Sequence, residues 1–296
     1  MIPQPVVIIG FGYVGFRIAR EELFSGCSVS ALTRSTESTA RAKSLGVWPI
    51  ACDLDDPGSL KNISTRDAVV YYLAPPSSTG VRDLRMTNFL SAIDAAAPAK
   101  LVYISTTGVY GNTQGAWVSE NSPLDPQQDR SRRRCDAEMQ INTWSAQHPR
   151  CCVTVLRVGG IYGPDKLPLA RLAKQEPMVD NPDRPSWVNV IHVDDLVTIC
   201  RTAARTSTPL ATYNVSDGHP TTMMQYFRVI ADVAGLAPPP TISLAEAKTV
   251  MSPEMFSYVA ESRRVDTSKL RRELNPDLRY TVLAEGIRAA FLASGK

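Results

Sequence analysis

The sequence predicts an α/β chain built on a doubly wound parallel sheet, with a smaller C-terminal lobe. Three observations lead there. Short apolar, often β-branched runs alternate with helical stretches along most of the chain, the pattern of a parallel sheet with crossover helices. A glycine-rich hexapeptide, Gly10-Phe11-Gly12-Tyr13-Val14-Gly15, sits where the first run meets the first helix. Strand signals then fade from about 164 to 190 and again after about 217, which sets those stretches apart as a second lobe.

Taken in order, strands are expected near 5–9, 28–33, 47–51, 68–73, 100–104, 152–157 and 212–215. Helices are expected near 13–25, 36–45, 57–62, 82–96, 130–147, 194–204, 221–234 and 267–274. The first strand is the β-branched run from Val6 to Ile9. The first helix follows from Gly15, Ile18, Ala19 and Leu23, which repeat along one face. Pro238-Pro239-Pro240 is a stiff stretch between two C-terminal segments. The expected organisation is a dinucleotide-binding core over 1–163, completed by about 190–216. Residues 164–189 and 217–296 then form a lobe for substrate, which would sit in the cleft at the strand ends.

Composition bounds the function. The chain has 296 residues, 44% of them hydrophobic, enough for a substantial core. A net charge of +3 is too mild to argue for nucleic acid. No apolar run reaches the ~18 residues of a spanning helix, so no membrane partner is expected. The first strand is expected almost at once, so no signal peptide is expected. Cys27, Cys52, Cys135, Cys151, Cys152 and Cys200 form no CxxC pair and no zinc spacing with histidine. They read as reduced thiols of a cytoplasmic protein.

The glycine hexapeptide has the context of a Rossmann-type fingerprint, strand before and helix after. Gly10 permits the tight turn, Gly12 lets backbone approach a pyrophosphate, and Gly15 lets helix and strand pack closely. Tyr13 and Val14 open the helix whose N–H groups and dipole would meet the phosphates. The second strand ends in Arg34, where an NAD-type fold usually places an acid for the ribose hydroxyls. A guanidinium followed by Ser35 and Thr36 suits a 2′-phosphate, which favours NADP, with NAD as the alternative. Asp53, after the third strand, either reaches the adenine or serves its turn. Ala74 and Pro75, after the fourth strand, complete the expected cofactor residues.

The fifth strand runs into Ser105-Thr106-Thr107-Gly108-Val109-Tyr110-Gly111, with Gly115 to Glu120 (GAWVSE) beyond. Then come Gly159-Gly160-Ile161-Tyr162-Gly163-Pro164 and Ile191-His192-Val193-Asp194-Asp195-Leu196. Late in the chain lie Glu261-Ser262-Arg263-Arg264-Val265 and Lys269-Leu270-Arg271-Arg272-Glu273-Leu274. Together and in this order, they resemble the extended short-chain dehydrogenase/reductase family, the NAD-dependent epimerase/dehydratase group, and within it an atypical YeeZ-like branch. The resemblance implies a Ser/Thr, a Tyr and a Lys at work, the last two as YxxxK on one helix. In that family the Tyr moves the proton, and the Lys lowers its pKa and holds the nicotinamide ribose.

Thr106 matches the Ser/Thr position. The Tyr and Lys positions fall on Arg130 and Arg134 of the 130–147 helix, where Arg134, Ala137, Ile141 and Trp144 mark the buried stripe. Arginine stays protonated and cannot act as base, but it can hold a phosphate, a ribose hydroxyl or an oxyanion. Arg134 is therefore expected as a cofactor anchor. Arg130 is either an acid-binding group or part of a solvated basic helix start. The literal Tyr162…Lys166 contains Gly163-Pro164 and cannot present both side chains from one helical face. The candidate proton donors are Thr106, Tyr110 and a water or the substrate itself. Tyr110 is alternatively a packed aromatic.

His192 reads as a structural residue before a helix that Asp194 is placed to cap, and Glu120 and Glu138 are no obvious acid/base pair. The pocket residues are not diagnostic. Arg263, Arg264 and Tyr258 either line it or lie at the surface. The expected function is an NAD(P)-dependent reductase of a carbonyl or sugar-like small molecule without the usual Tyr/Lys pair. The alternatives are a non-catalytic NADP-binding sensor or scaffold and a nucleotide-sugar epimerase/dehydratase. No metal is expected, and the resemblance implies a homodimer through two long helices, for which 82–96 and 130–147 are the candidates.

Overall fold

A computed structural model describes residues 4–295. Seven strands form one parallel sheet: β1 (Val6–Ile9), β2 (Val29–Thr33), β3 (Trp48–Ala51), β4 (Val69–Tyr72), β5 (Lys100–Thr106), β6 (Cys152–Val158) and β7 (Leu210–Val215). They lie in the order β7-β6-β5-β4-β1-β2-β3. Every strand expected from the sequence is present and joins this sheet. β1 pairs with β2 on one side and β4 on the other, Val6 lying opposite both Val29 and Val69. The chain order reverses there, and such a switch point opens a crevice at the carboxyl ends of the strands. All residues of β1 and β4 are buried, as central strands with both faces covered require.

The longer helices are α1 (Tyr13–Phe24), α2 (Thr36–Leu45), α3 (Leu84–Ile93), α4 (Asp129–Gln147), α5 (Val193–Ala203), α6 (Met223–Ala234) and α7 (Leu283–Ala293). The stretch 57–62 is a 3-10 helix, and 94–96 extends α3 as a 3-10 turn. α2 shows why its bounds were readable. Ser35 and Ser38 form a reciprocal capping box at its start, and Gly46 ends it at φ +84°. Among the described residues, no helix is long and apolar enough to cross a membrane.

The chain divides into two compact units. The first runs through Thr106 and adds Asp129–Arg157 and Val197–Tyr213. Its core packs Tyr72 of β4 against Phe89 of α3 and Tyr103 of β5, with ring centroids 4.9 and 5.8 Å apart. Glu22, buried on α1, accepts from the Tyr71 hydroxyl at 2.8 Å and from Arg201 at 3.1 Å. A carboxylate is held inside the fold only with such partners.

The second unit comprises Thr107–Gln128, Val158–Leu196 and the chain from Asn214 onward. This division departs from the expected boundary after residue 163. Residues 107–128 group with the late chain because Trp117–Val118 pairs in parallel with Arg264–Val265. Residues 158–163 group with 190–192 because Gly160–Tyr162 pairs with Val190–His192. Two further short pairs join Met178–Val179 to Thr241–Ile242 and Trp187–Val188 to Thr221–Thr222. The core of this unit gathers Tyr162, Met178, Phe227, Ile230 and Ile287, with α6 packed on α7. Helices at Leu169–Ala173, Leu244–Val250, Pro253–Ala260 and Leu283–Ala293 are present here with no counterpart among the expected ones.

Asp217 is buried in the second unit. Its Oδ1 accepts from the His219 N–H at 2.9 Å, while Oδ2 has no hydrogen-bond partner. Burial pushes its carboxyl up to about 7, against the pull of the His219 N–H and Arg271, with Asp195 adding to the rise. A folded-state value above the unfolded one means that the native state binds the proton more tightly. Stability should therefore fall as pH rises from about 4 to about 7 and level off above. Asp217→Asn removes the charge and keeps the Oδ1 acceptor. Its melting temperature should gain on the parent across that window and hold a constant lead above it. A difference independent of pH would contradict the buried-charge account.

Candidate functional site

The glycine loop of the first unit carries three different constraints. Gly10 sits at φ +103°, and a Cβ there would come within 2.6 Å of the Ala74 nitrogen. A Cβ on Gly15 would meet the Gly10 carbonyl oxygen at 2.3 Å. Gly12 is the opposite case, with nothing within 4 Å of its missing Cβ. Two glycines thus close backbone on backbone, and the middle one leaves space in front of the loop. Gly12 is also the N-cap of α1 and brings no side-chain cap. An uncapped helix start beside open space can take an anionic ligand. Tyr13 and Val14 are half-buried in the first turn, and the Arg17 guanidinium lies 4.0 Å from the Tyr13 ring centroid.

Arg34 is exposed just after β2, as expected. The Ser35 hydroxyl is engaged in the α2 cap, accepting from the Ser38 N–H at 3.1 Å. A cation missed in the sequence lies nearby. Arg41, on α2, donates from Nη2 to the Phe11 carbonyl of the glycine loop. Its guanidinium lies over the rings of Phe11 and Phe16 at 5.2 and 5.6 Å. The available signal was its place two helical turns beyond Arg34. Asp53 holds a turn, its Oδ1 accepting from the Asp55 N–H at 3.0 Å. Asp55 pairs with Arg85 at 2.5 Å, and that contact holds its carboxyl below the usual range. Arg85 also donates to the Pro75 carbonyl at 3.1 Å, tying α3 to the segment after β4.

The end of β5 separates two neighbours by strand alternation. Ser105 turns to α4, and its hydroxyl donates to Glu138 at 2.5 Å. Arg157 donates to the same carboxylate at 2.8 Å, so Glu138 is fully committed in a buried pair. Thr106, the last residue of β5, is half-buried. Arg134 reaches from α4 to the carboxyl ends of two strands. Its Nη1 donates to the Ile104 carbonyl at 3.0 Å, the Tyr103 hydroxyl at 3.2 Å and the Ala74 carbonyl at 3.4 Å. Burial outweighs this cation and pushes the Tyr103 phenol up to about 12, so that phenol is no neutral-pH acid. On the expected stripe of α4, Ala137, Ile141 and Trp144 are buried and Arg134 is half-buried. Arg133, not singled out in the sequence, is buried and donates to the Gly80 carbonyl at 2.5 Å, pinning the segment before α3. Arg130 is half-buried in the first turn of α4.

Tyr110 belongs to the second unit and is only 1% exposed. Its hydroxyl donates to Asn214 Oδ1 at 2.6 Å. Asn214 is held in turn, its N–H donating to Glu120 at 2.8 Å and its Nδ2 to the Asp266 carbonyl at 3.2 Å. This is the environment of a packed aromatic. His192 is buried against the Tyr280 ring at 4.1 Å. Its Nδ1 accepts from the Asp194 N–H at 3.2 Å, so the cap of α5 is His192 itself and not Asp194. Asp195 accepts from the N–H groups of Arg279 and Tyr280, both at 2.8 Å. Tyr162 lies on a strand and Asp165 has φ +62°, so Tyr162 and Lys166 share no helical face.

If Arg134 anchors a cofactor, Arg134→Ala should weaken NADPH binding about tenfold, the loss of one charge-assisted hydrogen bond. Titration by nucleotide fluorescence, with a melting curve to confirm folding, checks this. Unchanged affinity would confine Arg134 to bracing β4 and β5.

The comparisons with known proteins agree with this architecture. The chain resembles a functionally unknown conserved protein from Silicibacter pomeroyi DSS at 25% identity and TM-score 0.82, over 99% of this chain and 100% of the other. It shares the fold of MoeE5, solved with UDP-glucose and NAD, at 21% identity and TM-score 0.75 over 99% of both chains. The same holds for UDP-glucuronic acid 4-epimerase from Bacillus cereus, solved with NAD, at 17% identity and TM-score 0.76 over 99% of both. No curated protein matches the sequence significantly. The model of the NAD dependent epimerase/dehydratase family matches residues 6–216, and with that match, over a sheet and glycine loop of this geometry, the chain belongs to that family.

Proposed function

We propose that the protein is an NADP-dependent reductase of a carbonyl or sugar-like small molecule. The observation that carries the cofactor reading is a cation on the glycine loop, with a second exposed just after β2. Arg34 stands where NAD-type folds place an acid, and Arg41 lies on the loop backbone itself. The open space before Gly12 and the uncapped start of α1 fit a pyrophosphate. Gly10, Gly12, Tyr13, Val14 and Gly15 would hold it, Arg34 and Arg41 the 2′-phosphate, and Ala74, Pro75 and Asp53 the adenosine side. Arg134 would hold the nicotinamide ribose. The bound cofactor supplies hydride to the carbonyl carbon.

Thr106 would donate a hydrogen bond to the carbonyl oxygen and pass on a proton drawn from water as the alkoxide forms. A reduction needs only that this proton arrive. Oxidation or epimerisation needs a group to take a hydroxyl proton, and neither arginine of α4 can do so. The relatives solved with UDP-sugars support a nucleotide-sugar substrate as an alternative, and the missing base weighs against epimerisation. One observation favours a non-catalytic NADP-binding protein instead. The Tyr110 hydroxyl is taken up by Asn214, which leaves Thr106 as the one candidate side chain of the original pair.

Titration with NADPH and NADH tests the reading first. Arg34→Glu and Arg41→Glu should each weaken NADPH by about tenfold to a hundredfold and leave NADH nearly unchanged. Equal losses for both nucleotides would remove the 2′-phosphate argument. With a carbonyl panel and NADPH, Thr106→Ala should lower kcat/KM roughly a hundredfold at unchanged NADPH affinity. Tight NADPH binding without turnover on any carbonyl would favour the sensor.

A further inference from the structure

Arg264 in the second unit is held as few surface arginines are. Its Nε donates to the Gly115 carbonyl at 2.7 Å. Its guanidinium carbon lies 5.3 Å from the Trp117 ring centroid and 5.2 Å from that of Trp187. The frame around it is built for this. Arg264 is register partner of Trp117 in the short parallel pair. Gly115 stands at φ +82°, and a Cβ there would come within 2.9 Å of Trp187 Cδ1, so only glycine admits the indole. The backbone N–H of Trp187 donates to the Ser262 hydroxyl at 3.0 Å, which donates to the Pro185 carbonyl at 2.7 Å.

The charge of this group is nonetheless unmet. Its neighbour Arg263 is paired with Glu261, but among the described residues no carboxylate pairs with Arg264. Its two terminal amino groups make no hydrogen bond to the described protein. A guanidinium fixed in plane by two indoles and a carbonyl keeps a planar fork of donors, the shape that a carboxylate or phosphoryl group accepts in two parallel bonds. The partly dry setting between indoles strengthens such a contact. Trp117, 54% exposed, adds a flat apolar surface beside the fork.

We infer that Arg264, flanked by Trp117 and Trp187, anchors a carboxylate or phosphoryl group of a small molecule whose ring lies on Trp117. The site lies wholly within the second unit, and the inference stands apart from the reductase reading above. Calorimetric titration of the full chain with phenyl phosphate and with benzoate tests it, with indole fluorescence as a second readout and NADPH titrated in parallel. Saturable binding of at least one probe is expected, and the stronger of the two identifies the anion. Arg264→Gln should weaken it about tenfold or more. Arg264→Lys keeps a charge in the frame but loses the fork, and should weaken benzoate several-fold even if the glutamine variant fails to fold. No saturable binding of either probe, or unchanged binding in the folded variants, overturns the inference. Intact NADPH binding in that case leaves the reductase reading standing, whereas loss of NADPH binding with probe binding retained sinks the reductase reading alone.

Discussion

The approach of backbone to backbone at Gly10 is the constraint on which the first unit depends. The missing Cβ of Gly10 faces the nitrogen of Ala74, and the missing Cβ of Gly15 faces the carbonyl oxygen of Gly10. These contacts seat the start of α1 directly on β1 and bring the segment after β4 beside the loop. The strand order reverses at the same place, since β1 has β2 on one side and β4 on the other. Any side chain at either glycine must push backbone apart, with no flexible atom to yield. The open front of Gly12 follows from the two closed positions around it.

The sheet was legible because each strand is a short apolar run bounded by a helix signal. β1 and β4, buried throughout, read as continuous β-branched or aromatic stretches. The second unit was not legible for an equally physical reason. Its strands are two or three residues long, too short to show a period, and their partners are distant. Trp117 meets Arg264, and Met178 meets Thr241. Only the folded chain brings them together, and that pairing also groups residues 107–128 with the second unit, against the expectation from their position in sequence.

The same distinction runs through the site. The places of the three glycines were readable from local context, because a strand, a turn and a helix fix them. Arg41 required knowing where α2 lies over the loop. The fate of Tyr110 turned on Asn214, far along the chain, and no spacing rule connects the two. Ser105 and Thr106 are adjacent and look interchangeable in sequence, yet alternation along β5 sends the first to Glu138 and leaves the second at the strand end. Glu138, in turn, is held by Arg157 in a buried ion pair.

The reach of Arg134 bears on which other side chains its place on α4 could carry. One nitrogen of that side chain ties the carbonyls at the ends of β4 and β5 to the phenol of Tyr103. A lysine at the same place is one bond shorter, and its ammonium would stop short of those acceptors. The phenol of Tyr103 would then be left buried beside a displaced cation, an arrangement that proteins avoid. A lysine at position 134 is therefore compatible with this strand only if Tyr103 gives up its hydroxyl as well. The choice of one helix side chain is thereby tied to that of the strand residue beneath it.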